Sequence, residues 1–252
     1  MSGPSSAPFF VDFPAAGPRS SIWVMRPVAV LATAALTVAV TLAGCARTVS
    51  GAAVLDRAVP NAGLRPGDAD QVLLGPAEVG EIVGVKLQVD ADRSRPIAGA
   101  SAAPACSALD TVGMAAFIGD DWSRFTVLLF TDGYRHQQVV AEAVAIYPDP
   151  AVAAAAFVNG TRDAKACDGQ QALGTGGDAA WSFSVPVIDA DMVRWRKRQV
   201  GIPLTWICHG ESRLRSNVVL QVMACRGDDS GRVSVTMMAD RMSASVWQLS
   251  GR

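Results

Sequence analysis

The sequence predicts an α+β fold, an antiparallel sheet packed by helices in a single disulfide-stapled domain. Three observations predict it. Short segments rich in β-branched and aromatic residues follow one another through the second half of the chain, close enough to form hairpins. Helical periodicity stands before, between and after them. Four cysteines, Cys106, Cys167, Cys208 and Cys225, fall within the same stretch. Strands in succession, with helices gathered on one side, give a layered domain.

The elements follow in order. Leu73 to Gly84 reads as a helix, with Pro76 suited to a first turn, apolar residues at 79, 82 and 83, and Gly84 as the stop. Residues 90–105, rich in Ala, Ser, Pro and charge, read as a surface loop leading to Cys106. Phe125–Phe130 and Gln138–Tyr147 read as paired strands around a turn at Thr131-Asp132-Gly133. Asp149-Pro150 then opens an alanine-rich helix through Ala166, with Gly160 as its weak spot. Residues 181–187, 192–199, 204–209 and 218–224 read as four further strands, the last two joined by a polar loop over 210–217. Asp228-Asp229-Ser230 offers caps for a terminal helix with a stripe at Val235, Met238, Met242, Val246 and Leu249.

Composition bounds the function. The 252 residues carry 22 Lys plus Arg against 23 Asp plus Glu, a balance without the clustered basic footprint that nucleic acid requires. Only one window, residues 27–44, is uncharged and apolar for long enough to suggest membrane insertion. Met25-Arg26 ahead of it gives the charge-then-apolar layout of a secretory signal, and it ends in Leu42-Ala43-Gly44-Cys45. That tetrapeptide resembles the bacterial lipobox, in which the chain is cut before the Cys and the Cys is acylated. The alternative, a non-cleaved anchor, is disfavoured because the window is marginal for a span of ~30 Å. A signal starting at Met25 is complete without residues 1–24, so these read as an over-extended start or a leader, and Arg19 and Arg26 are too far apart for a twin-arginine signal. Residues 1–44 are therefore expected to be leader and lipoprotein signal peptide, and 45–69 the lipidated Cys45 and a flexible tether punctuated by Gly and Pro. The expected location is the outer face of the cell membrane.

With Cys45 acylated, an even four cysteines remain in an oxidising compartment, which implies two disulfides in one of three connectivities. Zinc would need tight pairs such as C-x-x-C, and none occurs. If 204–209 and 218–224 form a hairpin with a long loop, Cys208 and Cys225 lie on neighbouring strands but not directly opposite, so their pairing would need a bulge or shifted ends.

No assembled catalytic motif is present. There is no Gly-x-Ser-x-Gly elbow, and His136 and His209 read as surface or hydrogen-bonded residues. Gly174-Thr-Gly-Gly177 lacks the continuation of a phosphate loop. Asp189, Asp191, Asp228 and Asp229 are too isolated for a calcium loop. In Arg194-Trp-Arg-Lys-Arg198 a strand would put the three arginines on one face and Trp195 with Lys197 on the other. That face reads first as solvated, and second as a contact for anionic headgroups or acidic glycans. Trp122, Trp181, Trp195 and Trp206 are candidates to line an apolar ligand cleft, with core packing as the alternative for each.

The lipobox followed by Cys45-Ala-Arg-Thr-Val-Ser-Gly-Ala-Ala53, the helix Leu73-Leu-x-x-x-Glu-Val-x-x-Ile-x-Gly84, and Trp206-Ile-Cys208 answered by Asn217-Val-Val-x-x-Val-x-Ala-Cys225 resemble one family. It is that of mycobacterial lipoproteins carrying the PknH-like extracellular sensor domain, which otherwise forms the outer part of certain receptor serine/threonine kinases. The resemblance spans roughly residues 70–250 and makes 70–252 the sensor domain. It implies a V-shaped cleft and the pairings Cys106 with Cys167 and Cys208 with Cys225. The 252 residues include no kinase domain, so phosphorylation is not expected of them.

The expected function is a membrane-anchored extracytoplasmic lipoprotein that binds a lipid, glycan or other small molecule of the envelope. The alternative is a scaffold for an envelope protein, and an unrecognised hydrolase ranks third. No enzyme activity, metal, cofactor or nucleic acid is expected.

Overall fold

The computed structural model describes residues 63–99, 103–133, 137–173, 179–201 and 205–252. Eight strands form one sheet: β1 (Gln88–Arg93), β2 (Arg124–Thr131), β3 (Gln138–Ile146), β4 (Gln171–Leu173), β5 (Ala180–Ile188), β6 (Met192–Val200), β7 (Ile207–Arg215) and β8 (Val218–Arg226). Their order is β1-β2-β3-β8-β7-β6-β5-β4, and every pairing is antiparallel. The helices are α1 (Ala69–Val72), α2 (Pro76–Val83), α3 (Ala115–Ile118), α4 (Pro150–Cys167) and α5 (Gly231–Ser250), with 3-10 turns at Pro66–Asp68 and Pro104–Leu109. The α+β class and its antiparallel sheet are those the sequence predicts.

Helices cover both faces of this sheet, which corrects the expectation of one. On one face Phe125, Phe157, Trp195 and Met223 join a core shared with α3 and α4. On the other, Val72, Val79, Leu220, Met238 and Met242 join a core shared with α1, α2 and α5. The cause lies in β3 and β8. Val139–Ile146 and Val218–Ala224 are near-continuous apolar runs rather than alternating ones, and both are buried along their length. Two central strands apolar on both sides have to be covered on both sides.

Among the described residues, the segment ahead of Asp70 also packs on the sheet. Leu64 and Ala69 are buried in the α5-side core. The Asn217 side chain secures this segment: its Oδ1 accepts from Leu64 N at 2.8 Å, and its Nδ2 donates to Leu64 O at 2.9 Å and Tyr147 O at 2.8 Å. Further along, Leu74 N donates to Oε1 of the fully buried Glu142 at 2.9 Å. Burial holds that carboxyl well above the usual carboxylate range; the Leu74 N–H opposes the shift and Glu78 adds to it.

Several local readings hold and several change. Pro76 opens α2, and Gly84 ends it in a left-handed conformation at φ 76°. Asp149 caps α4, accepting from Ala151 N and Val152 N. Gly160 is no weak spot, because a Cβ there would lie 2.7 Å from the Phe117 ring; its missing side chain lets that ring seat against α4. Residues 88–93, placed partly in a loop, form edge strand β1, whose charged residues suit a solvent-facing edge. Ser230 does not cap α5: its hydroxyl donates to Asp228 Oδ1 and no side chain bonds the first turn.

The largest correction is the β7–β8 hairpin. Residues 210–215 continue β7, and the turn is only Ser216-Asn217, with Ser216 at φ 53°. A two-residue turn puts Cys208 directly opposite Cys225, since both are equally far from it. No bulge is needed. Their Cα atoms are 3.9 Å apart and the disulfide closes across the strands. The second disulfide joins Cys106, in the Pro104–Leu109 turn, to Cys167 at the end of α4.

Candidate functional site

The four tryptophans do not line one groove, contrary to the sequence expectation. Trp195 on β6 is 2% exposed and lies over Gly210 of β7, where a Cβ would come within 2.1 Å of the indole. It is a core residue. Trp122 packs on Phe125, ring centroids 6.1 Å apart, at the end of the sheet where β2 begins. Trp181 and Trp206 sit toward the opposite end, sharing a row with Gln199 between them. Gln199 N donates to Trp206 O at 2.9 Å. Beside them the buried Lys197 ammonium lies 4.4 Å from the Trp181 ring and bonds both the backbone carbonyl and the carboxylate of Asp110. That arrangement is satisfied within the protein and serves packing. Cys45, His136 and the Gly174–Gly177 segment lie outside the described residues.

The arginine face of β6 is built as the alternation predicts, with Trp195 and Lys197 buried on the α4 side. It is not simply solvated. Glu211, with no exposed side-chain surface, accepts from Arg194 Nε at 2.8 Å and from Arg213 Nε. Arg213 reaches Asp240 at 2.7 Å and Ser243 at 3.3 Å on α5. Neighbouring His209 bonds Asp229 Oδ1 through Nε2 at 2.8 Å. Burial lowers the His209 pKa, a trend its bond to Asp229 opposes. The same bond lowers the pKa of Asp229.

An open groove of about 620 Å³ lies between α3 and the first half of α4. Its apolar lining comes from Phe117 and Ile118 on one side and Val152, Ala155 and Ala156 on the other; Asp121, Asp149 and Asn159 supply polar groups. Three local features make it. Alanines on α4 leave space where larger residues would fill it. Phe117 is fixed by the notch at Gly160 and by an edge-on contact with Phe157, centroids 5.8 Å apart. The Tyr147 hydroxyl donates to Ile118 O at 2.7 Å and holds the end of α3; burial drives the pKa of that hydroxyl upward. The volume lies within the range of small-molecule sites, and apolar walls with a few polar groups are their usual composition. The carboxylates disfavour an anionic headgroup there and suit hydroxyl or ammonium groups. Sequence reading missed the groove, because the α4 alanines were legible only as helix formers.

Among the described residues no three His, Cys, Asp or Glu are placed to hold a metal, and no helix is long and apolar enough to cross a membrane.

No curated protein matches the chain. The crystal structure of the extracellular domain of PknH from Mycobacterium tuberculosis is similar, with a TM-score of 0.67 at 18% identity, covering 75% of this chain and 99% of that one. A family model described as the PknH-like extracellular domain matches residues 64–244, which begin at the Leu64 held by Asn217 and run into α5. That match covers most of the chain and includes both disulfides, so the chain belongs to the PknH-like extracellular domain family.

Proposed function

We propose that this protein is a membrane-anchored extracytoplasmic lipoprotein whose domain binds an envelope amphiphile in the groove between α3 and α4. The groove itself carries the reading: about 620 Å³ of open volume, apolar on its α3 and α4 walls, with Asp121 and Asn159 to meet a polar end. The ligand class is a lipid-like or glycosylated molecule with an apolar body and hydroxyl or amine groups, rather than a phosphate. Family membership supports a sensor-like role outside the membrane. The lipobox Leu42–Cys45 supports the anchor.

Two experiments test the parts separately. Ala155 lines the groove and is exposed, so Ala155→Trp fills the space without entering the core. Ligand from envelope extracts should raise the melting temperature of the wild type and not that of Ala155→Trp; equal shifts in both place the ligand elsewhere. For the anchor, labelled palmitate should enter the wild type and not Cys45→Ser, and labelling of both overturns acylation at Cys45.

A protein scaffold is the second reading, favoured by the outer face of α5, where Val233, Met237 and Trp247 are 61%, 42% and 62% exposed. Crosslinking from position 247 in intact envelopes should then recover one repeatable partner, and its absence rejects that reading.

A further inference from the structure

We propose that the sheet surface beyond the first turn of α5 is a second, separate site that binds a phosphoryl oxyanion, free or in a lipid headgroup. The register places Arg198 of β6, Ile207 of β7 and Arg226 of β8 in one row, with Arg196 and His209 in the next. Strands spaced by 4.7–4.9 Å set the Cα atoms of Arg198 and Arg226 about 10 Å apart across Ile207. That span suits two long guanidinium side chains closing on one phosphate. Arg232, in the first turn of α5, lies close enough to act electrostatically on both His209 and Asp229.

The four guanidinium groups are unequally engaged. Arg226 is positioned by Asp228 at 3.6 Å and, with the Gln138 amide turned to present its oxygen, by that oxygen at 3.0 and 3.3 Å. The Arg196 Nε lies 3.3 Å from Asp229 Oδ1 but is not aligned to donate to it, and it is shielded from solvent, so this donor is unmet. Arg198 and Arg232 are exposed and form no ion pair among the described residues. Asp228 and Asp229 are the carboxylates in the cluster, which leaves the four arginines with a net charge of about plus two. The first turn of α5 has no side-chain cap, so its amides add to the same field.

The α3–α4 groove, with its carboxylates, is chemically the opposite, so the two sites take different groups. Asp229, 68% exposed, already places a carboxylate against Arg196 and His209. An incoming phosphate competes with it.

The test is calorimetric titration of inorganic phosphate into the whole chain in neutral detergent at fixed ionic strength. Saturable binding is expected, at least tenfold weaker in Arg198→Ala/Arg232→Ala and unchanged in Arg252→Ala at the far end of α5. Asp229→Asn removes the competing carboxylate and should tighten binding several-fold. A short-chain, water-soluble phosphatidic acid separates the sources: affinity tenfold above that of phosphate assigns a lipid headgroup, and equal affinity assigns a free phosphate. Non-saturable heat, or equal binding in the double variant, means an adventitious ion only and overturns the site. Arg198 and Arg232 are exposed, so the double variant should melt with the wild type; Arg198→Glu, should the double variant misfold, reads the same loss.

Discussion

Glu142, at the centre of the sheet, is fully buried, with one carboxyl oxygen accepting from Leu74 N and the other unpartnered. Its raised pKa means the folded protein holds a proton that the unfolded chain releases above the ordinary carboxylate range. Stability from this group is therefore full below about pH 4 and falls as pH rises toward the folded pKa, by at most about 1.4 kcal/mol per unit. Glu142→Gln should remove that slope, so its melting temperature gains on the wild type as pH rises above the ordinary carboxylate range; parallel curves refute the assignment. Asn217→Ala loses three buried hydrogen bonds and should cost about 2–4 kcal/mol, with faster hydrogen exchange at Leu64. Gly210→Ala drives a methyl into the Trp195 indole and should cost about 1–3 kcal/mol or more in thermal unfolding. None of these three roles was legible from residue type. Nothing in the sequence singles out Glu142 within its strand, and Asn217 reads as part of a polar loop. Each is fixed by a partner distant in sequence.

At the scale of elements, the two disulfides close loops of different size, with sequence separations of 61 and 17 residues. Replacing either pair by serine should cost about 2–5 kcal/mol, and loop-closure entropy makes the loss of Cys106–Cys167 larger by about 1 kcal/mol. Denaturant midpoints of the two double variants check the order, and the reverse order shows that native packing outweighs chain entropy. Helices α2 and α4 were legible because their signals are local: Pro76 and Gly84 bound one, and Asp149 caps the other. The β7–β8 hairpin was not. Gly210–Asn217 is polar because Glu211, Ser212 and Arg213 make buried networks with β6, β8 and α5, and polarity was read as exposure. The equal distance of Cys208 and Cys225 from Ser216-Asn217 was in the sequence, but only a two-residue turn gives it meaning.

At the scale of the molecule, the sheet separates two surfaces with different chemistry. The α4 side holds both disulfides, the buried tryptophan and the apolar groove beside α3. The α5 side holds the buried Leu64, the Glu211–Arg213 network and the arginine cluster. The antiparallel α+β class was legible from successive strands, but the second helical layer was not, because a short apolar run such as β3 or β8 marks a strand without showing that both of its faces are covered. The aromatic cleft expected from Trp122, Trp181, Trp195 and Trp206 dispersed into packing, since large side chains are as useful to a core as to a ligand. The groove that replaces it owes its space to small residues on its α4 wall, and space left by alanines has no mark in sequence. Native mass spectrometry of the whole chain taken from its own envelope reads out whether this groove binds an envelope molecule. A co-purifying mass that leaves on denaturation and is absent from Ala155→Trp is expected. A bare wild-type mass, or the same adduct retained by Ala155→Trp, would contradict it.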